Sequence, residues 1–160
     1  MSRVTVREAQ DADEREFEEV WATAMATLRE TYRMTPGFLD QWTPPSDLTR
    51  VVALVDGRVV GVVQYYIEED RLHIMRFGVH PDLRGQGIGR AIIGYLDGIA
   101  RDKGLRCLSV YTVKETGNVP IYQHLGFHVI REEEAKWAES DRFDTLTDVY
   151  SERPISNLDG

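Results

Sequence analysis

A chain of 160 residues with 42% hydrophobic and 29% charged residues has the size and balance of one globular domain spanning residues 1–160. A net charge of −8 argues against a general nucleic-acid binder, and no apolar run reaches the about 18 residues that a membrane helix needs. Residues 1–5 lack the apolar core of a secretory leader, the one cysteine (Cys107) allows no internal disulfide and fits a reducing cytoplasm, and the four histidines show no metal-ligand spacing.

Residues 4–7 read as a first strand. Asp11 or Asp13 can cap a helix whose apolar positions Phe17, Val20, Trp21, Ala24 and Leu28 share one face, a pattern that carries it to Arg33. Pro36-Gly37 ends that helix, and the stretch through Trp42-Thr43-Pro44-Pro45 is a loop. Residues 51–55 and 59–66, joined by Asp56-Gly57, form a hairpin, and residues 72–79 are the next strand. A helix from Ile88 buries Ala91, Ile92, Tyr95, Leu96 and Ile99 and closes at Gly104. Gly94 and Gly98 weaken it, so close packing on the sheet is expected to keep them. The helix joins residues 72–79 to a strand at 106–113, and a helical crossover of this kind makes the two strands parallel. A short helix at 119–124 and strands at 127–131 and 145–151 complete the chain, with a charged loop from Glu132-Glu133-Glu134 through Trp137 between the last two. The predicted fold is α/β: a mixed, mostly antiparallel sheet with a central parallel strand pair, flanked by helices.

Between the third strand of the meander and its following helix stands Arg84-Gly85-Gln86-Gly87-Ile88-Gly89. Glycines let the backbone approach a ligand and turn its N–H groups toward it. The start of a helix adds unpaired amides and the positive end of its dipole, so such a turn suits a phosphate or pyrophosphate. No Gly-Lys-Ser/Thr follows, so this is no nucleoside-triphosphate loop, and Arg90 and Ile92 break the dinucleotide fingerprint. A turn whose glycines serve only tight packing is the alternative. Arg76, Arg84 and Arg90 against Asp82 make a local excess of +2 in an acidic chain, which favours an anion.

These residues resemble the Arg/Gln-x-x-Gly-x-Gly/Ala signature of the GNAT superfamily, the acyl-CoA-dependent N-acyltransferases. Val79-His80-Pro81 fits the approach to that loop. Downstream, Asn118-Val119-Pro120-Ile121-Tyr122 and Leu125-Gly126-Phe127 resemble the second family motif, and the likeness is close over residues 72–130. It implies acetyl-CoA as cosubstrate, with no metal. The backbone of Arg84, Gly85, Gln86, Gly87, Ile88 and Gly89 would hold the pyrophosphate, aided by Arg84 and Arg90. Phe77, Gly78 and Val79 would offer main-chain groups to the pantetheine arm, on a strand that bulges, at Gly78, and splays from its parallel neighbour. Asn118 would bond the arm or brace the opening.

The resemblance makes Tyr122 the catalytic residue: its hydroxyl can protonate or stabilise the leaving thiolate. A core tyrosine is the plain alternative. His73 and Glu69 are the candidate bases. By simple alternation His73 shares a face with Met75, Phe77 and Val79, which also suits a core histidine, and Glu69 lies in an acidic turn. Cys107 sits inside a strand without an evident activating neighbour, which favours direct transfer in a ternary complex over an acyl-cysteine. The function implied is N-acetyl transfer to a primary amine; a non-catalytic acyl-CoA sensor on the same fold is the alternative. The first helix, the Thr35 to Ser46 stretch with Trp42, and the segment around Trp137 are expected on the acceptor side, and both tryptophans equally fit an ordinary core. A cytoplasmic protein, a homodimer, and no nucleic-acid or membrane partner complete the expectation.

Overall fold

The computed structural model describes residues 3–156. Strand β1 (Val4–Glu8) leads into α1 (Glu14–Arg29), followed by β2 (Arg33–Met34) and α2 (Pro36–Gln41). The meander β3 (Thr49–Val55), β4 (Arg58–Glu68) and β5 (Arg71–Val79) comes next, then α3 (Ile88–Asp102), β6 (Cys107–Val113), α4 (Val119–His124), β7 (His128–Glu134), β8 (Ala138–Glu139) and β9 (Thr147–Pro154). Seven strands form one sheet in the order β1-β3-β4-β5-β6-β9-β7. Every neighbouring pair is antiparallel except β5 and β6, so the expected mixed sheet with a central parallel pair is borne out.

The two faces are covered by different helices. The apolar stripe of α3, with Ile88, Ile92, Ile93, Leu96 and Ala100 buried, packs on Val51, Val63, Leu72, Ile74, Leu108 and Val110. Phe17 and Val20 of α1 pack on Val52, Val59 and Val62 on the opposite face. Two covered faces explain why the central strands are apolar on both sides. Asp97 of α3 is buried and accepts from Arg153 Nη1 of β9 (2.5 Å) and from the Ser156 N–H (3.0 Å). Burial alone would raise the Asp97 pKa, but these donors hold it below the usual carboxylate range.

Several elements depart from expectation for local physical reasons. Asp13 stands at the N-cap of α1, but its carboxylate takes the Gln10 N–H (2.7 Å) and Arg7 Nη1 (2.6 Å) rather than helix amides. α1 stops at Arg29 instead of reaching Arg33, because Arg33 and Met34 pair with Glu139 and Ala138 in a second, two-stranded sheet. Pro36-Gly37 begins a helix rather than only ending one: Thr35 caps α2 by accepting from the Phe38 N–H (3.2 Å), and Pro36 occupies the first turn, where no donor is needed. The Glu132–Glu134 stretch is no loop but the end of β7, an edge strand whose charges discourage further pairing. Gly94 and Gly98 do not pack on the sheet: a Cβ at Gly94 would meet nothing within 4 Å, and one at Gly98 only the Arg101 guanidinium at 3.8 Å.

Candidate active site

The central parallel pair opens into a fork. β5 and β6 are registered only over residues 71–74 and 107–110, although both strands run on. Ile74 pairs with Tyr65 and Arg76 with Gln64, which leaves Met75 as a one-residue bulge at the point of divergence. Past it, the β6-facing edge of residues 75–79 has no strand partner and is available to an extended ligand. The bulge is therefore not at Gly78, which pairs regularly with Val62. Glycine is required there by α1: a Cβ would lie 2.8 Å from that of Ala24.

The bulge also reverses the side chains that follow. Phe77 and Val79 lie with Leu72 and Ile74 on the α3 face. Arg76 lies on the α1 face, its guanidinium 5.3 Å from the Trp21 ring and 3.7 Å from Glu18. His73 consequently does not share a face with Phe77 and Val79, and Arg76 does not join the basic groups of the glycine turn.

That turn stands at the carboxyl end of β5. Gly85 (φ +80°) and Gly87 (φ +81°) are both left-handed, a conformation that a side chain would strain. Gly87 is the N-cap of α3 and no side chain caps the first turn, so its amides keep their bonding capacity for an anion. Ile88 is buried in the core and contributes main chain only, while Gln86 and Arg84 are exposed. A Cβ on Gly89 would rest against the Phe77 ring at 3.6 Å, so the turn sits directly over the free edge. Arg90 Nη2 lies 3.2 Å from His124 Nε2 and ties α3 to α4 across the fork.

Tyr122 of α4 packs against the core beside the free edge, with its ring edge-to-face against Phe77 (6.0 Å) and Phe127 (5.5 Å). Asn118 is the N-cap residue of α4, its carbonyl accepting the Ile121 and Tyr122 N–H groups at 3.0 and 3.2 Å. Pro120 falls in the first turn, where it disturbs no helical bond. Arg153 positions this helix: its Nε donates to the Leu125 carbonyl (3.0 Å) while Nη1 holds Asp97. Burial raises the Tyr122 pKa, and Tyr32 raises it further, so the phenol keeps its proton across the physiological range.

Of the candidate bases, one stands near the fork and one does not. His73 is buried two register pairs before the bulge, its Nδ1 2.8 Å from Ser109 Oγ and its ring beside Tyr66 (5.3 Å) and Tyr111 (5.6 Å). Burial, with a smaller effect from Arg71, lowers its pKa to about 4, so it is neutral at pH 7. Glu69 is exposed in the β4–β5 turn at the opposite end of β5, and the structure does not bring it to Tyr122. Cys107 is also at that far end, buried, with burial and Glu152 pushing its thiol up to about 11.

Comparison with known proteins agrees with this geometry. The Acetyltransferase (GNAT) family model matches residues 6–127. The chain belongs to the GNAT acetyltransferase family. Its fold matches that of the ribosomal-protein-S18-alanine N-acetyltransferase from Escherichia coli at 15% identity and a TM-score of 0.74, covering 98% of this chain and 96% of that one. A GCN5-related N-acetyltransferase from Kribbella flavida gives 25% identity, a TM-score of 0.68 and coverage of 95% and 98%. The PaiA N-acetyltransferase from Thermoplasma acidophilum, solved in complex with coenzyme A, gives 15%, 0.70, 95% and 99%. No curated protein matches the sequence.

Within the GNAT frame, the α1 side of the fork has a wall that sequence reasoning resolved only as two loose segments. The β2–β8 pairing joins them, reinforced by the Thr35 N–H to the Trp137 carbonyl (2.9 Å) and Ser140 Oγ to the Thr31 carbonyl (2.5 Å). Tyr32 and Phe38 contact the Trp137 ring at 5.7 and 5.6 Å, and Trp42 stacks on Phe38 at 6.3 Å. Tyr32, Asp148, Asp97 and Arg153 went unnoticed in the sequence. None lies in a motif, and each acquires its place only through tertiary contacts. No described helix is long and apolar enough to cross a membrane.

Proposed function

We propose that this chain is an acetyl-CoA-dependent N-acetyltransferase that transfers an acetyl group to a primary amine by direct attack in a ternary complex. The observation that carries this reading is the meeting, over one forked strand pair, of an uncapped glycine turn and a protonated tyrosine. The turn and helix amides, with Arg84 and Arg90, suit the pyrophosphate of coenzyme A. The free edge of residues 75–79 suits the pantetheine arm, which would pair as an added strand, and a main-chain N–H near Val79 would polarise the acetyl carbonyl.

In this scheme the amine nitrogen bonds to the acetyl carbon, the carbon–sulfur bond breaks, and Tyr122 gives its proton to the departing sulfur. The proton shed by the amine has one nearby acceptor among the two candidates. His73 is neutral and next to the bulge, but its low basicity supplies little driving force. An acyl-cysteine route is disfavoured, because Cys107 is a thiol remote from the fork. Tyr122 favours an enzyme over a non-catalytic acyl-CoA sensor, for which a protonated phenol in the cleft would have no task. A cytoplasmic setting belongs to the same proposal.

The test combines calorimetric coenzyme A titration with a thiol-release assay. Gly87→Trp, still folded by circular dichroism, should lose coenzyme A binding. Tyr122→Phe should bind it as wild type while kcat falls about 100-fold. No coenzyme A binding by the wild type would end the proposal; unchanged turnover in Tyr122→Phe would remove the acid role and return the sensor reading to the front.

A further inference from the structure

Two buried side-chain atoms among the described residues have no hydrogen-bond partner: Thr112 Oγ1 and Asp148 Oδ1. They sit on consecutive register pairs of β6 and β9, Thr112 with Val149 and Val113 with Asp148, at the end of β6 that has left β5. Alternation sends them to opposite faces. Thr112 follows Leu108 and Val110 toward α3, whereas Asp148 follows Tyr150 toward the wall built by Tyr32, Phe38 and Trp137.

An unpaired carboxylate oxygen inside a protein is costly and calls for a partner. Asp148 Oδ2 has one, the Trp137 indole N–H at 2.6 Å, which fixes the carboxylate plane. Oδ1 does not, and the indole that holds Oδ2 stands among aromatic rings: Tyr32 meets Trp137 edge-on at 5.7 Å, and the Phe38 ring is tilted against it at 5.6 Å. A carboxylate oxygen beside aromatic rings is a setting for an alkylammonium, which donates hydrogen bonds to the oxygen and gains cation–π attraction from the rings. The surrounding chain has the matching sign. Residues 132–148 contain seven acids and two bases, −5 of the chain's net −8.

Distance from the reacting centre defines what that ammonium is. Asp148 pairs with Val113 at the end of β6 that has left β5, and burial followed by the Asp148 carboxylate raises the Tyr32 pKa, while burial followed by Tyr32 raises that of Tyr122. Asp148 is thus one aromatic residue removed from the catalytic phenol. We infer that Asp148, under Tyr32 and Trp137, anchors a second, non-reacting ammonium of the acceptor, so that the substrate class is an aliphatic diamine or polyamine. The inference rests on the acetyl-transfer reading for the reaction but not for the binding. Oδ1 is buried, so an ammonium reaches it only if the wall moves, and α2 is the weakly held part of that wall: it buries no residue and meets Trp137 through the Phe38 ring and the Thr35 amide.

Trp137 reports binding directly. Its indole N–H resonance, assigned with Trp137→Phe, is followed as 1,4-diaminobutane or n-butanol is added to the full chain. The diamine should shift the peak, the alcohol should not, and Asp148→Asn, which keeps an acceptor for the indole, should abolish the shift. In thiol release, kcat/KM for 1,4-diaminobutane should exceed that for n-butylamine by about 10-fold or more. Asp148→Asn should erase the preference without changing the KM for acetyl-CoA. An unmoved indole peak in wild type, an equal shift in Asp148→Asn, or a preference that survives the substitution would each overturn the assignment. A shift without acetylation of either amine would support the anchor and count against the acetyl-transfer reading instead.

Discussion

The two sides of the fork are built differently. The proposed cofactor side is backbone: a glycine turn, the first turn of α3 and an unpaired strand edge, locked by the α3 stripe and by Asp97 between Arg153 and Ser156. The proposed acceptor side is side chains: rings on Trp137, a two-residue ladder, and exposed ion pairs from Arg33 to Glu139 and Asp141. Backbone recognition tolerates change in most side chains, because the ligand reads amides. A wall of rings and surface ion pairs, each pair worth under about 1 kcal/mol, can be rebuilt for another acceptor without disturbing the sheet. The family could thus keep one donor site and vary the acceptor, and stability should be distributed accordingly.

The largest effect that tests this division is at Asp97. Asp97→Ala leaves Arg153 partly buried without its carboxylate and loosens both α3 and the α4 end that carries Tyr122. Urea denaturation should show a loss of about 3–5 kcal/mol. An equal loss from Arg33→Ala would break the comparison, since the acceptor wall would then be as stabilising as the donor side.

His73 lies on the boundary and gives the next effect. Its folded pKa of about 4 is below the ordinary histidine value, so the unfolded chain binds the extra proton between the two. Stability is therefore fully present above about pH 6.5 and falls as pH drops toward 4, by roughly 3 kcal/mol over that window. His73→Gln should flatten this slope relative to wild type in urea titrations at pH 7, 6 and 5. If His73 also takes the substrate proton, the acid limb of kcat/KM should have its midpoint near 4 rather than 6.5. A limb at 6.5 that survives His73→Gln would assign the base elsewhere.

The geometry of the proposed donor side was legible because it is local. Gly85, Gly87 and Tyr122 take their places from conformation and position within short segments, and their spacing survives in one dimension. Alternation failed at Met75: one bulged residue put Arg76 on α1 and separated the face of His73 from that of Phe77, and nothing in the apolar pattern marks it. The Arg33–Met34 strand was illegible because its partner is more than 100 residues away, and Asp148 because the return of β9 along β7, which sets it against the Trp137 indole, leaves no mark in the sequence pattern. Glu69 looked useful beside Glu68 and Asp70, but a turn at the wrong end of a strand cannot serve its other end.

The smallest expected effect concerns Gly94. Its helical position, empty surroundings and exposure leave no packing reason for glycine, so Gly94→Ala should add about 1 kcal/mol by helix propensity alone. The measurement that matters is whether function follows. α3 carries the phosphate turn at its first residue, two turns before Gly94, and a stiffer helix leaves the turn where it is if the donor side is already rigid. Unchanged coenzyme A affinity with raised stability would show that the donor side gains nothing from further order. A weakened affinity would mean that the turn needs a pliable helix behind it, and the contrast between a fixed donor side and an adaptable acceptor wall would have to be redrawn.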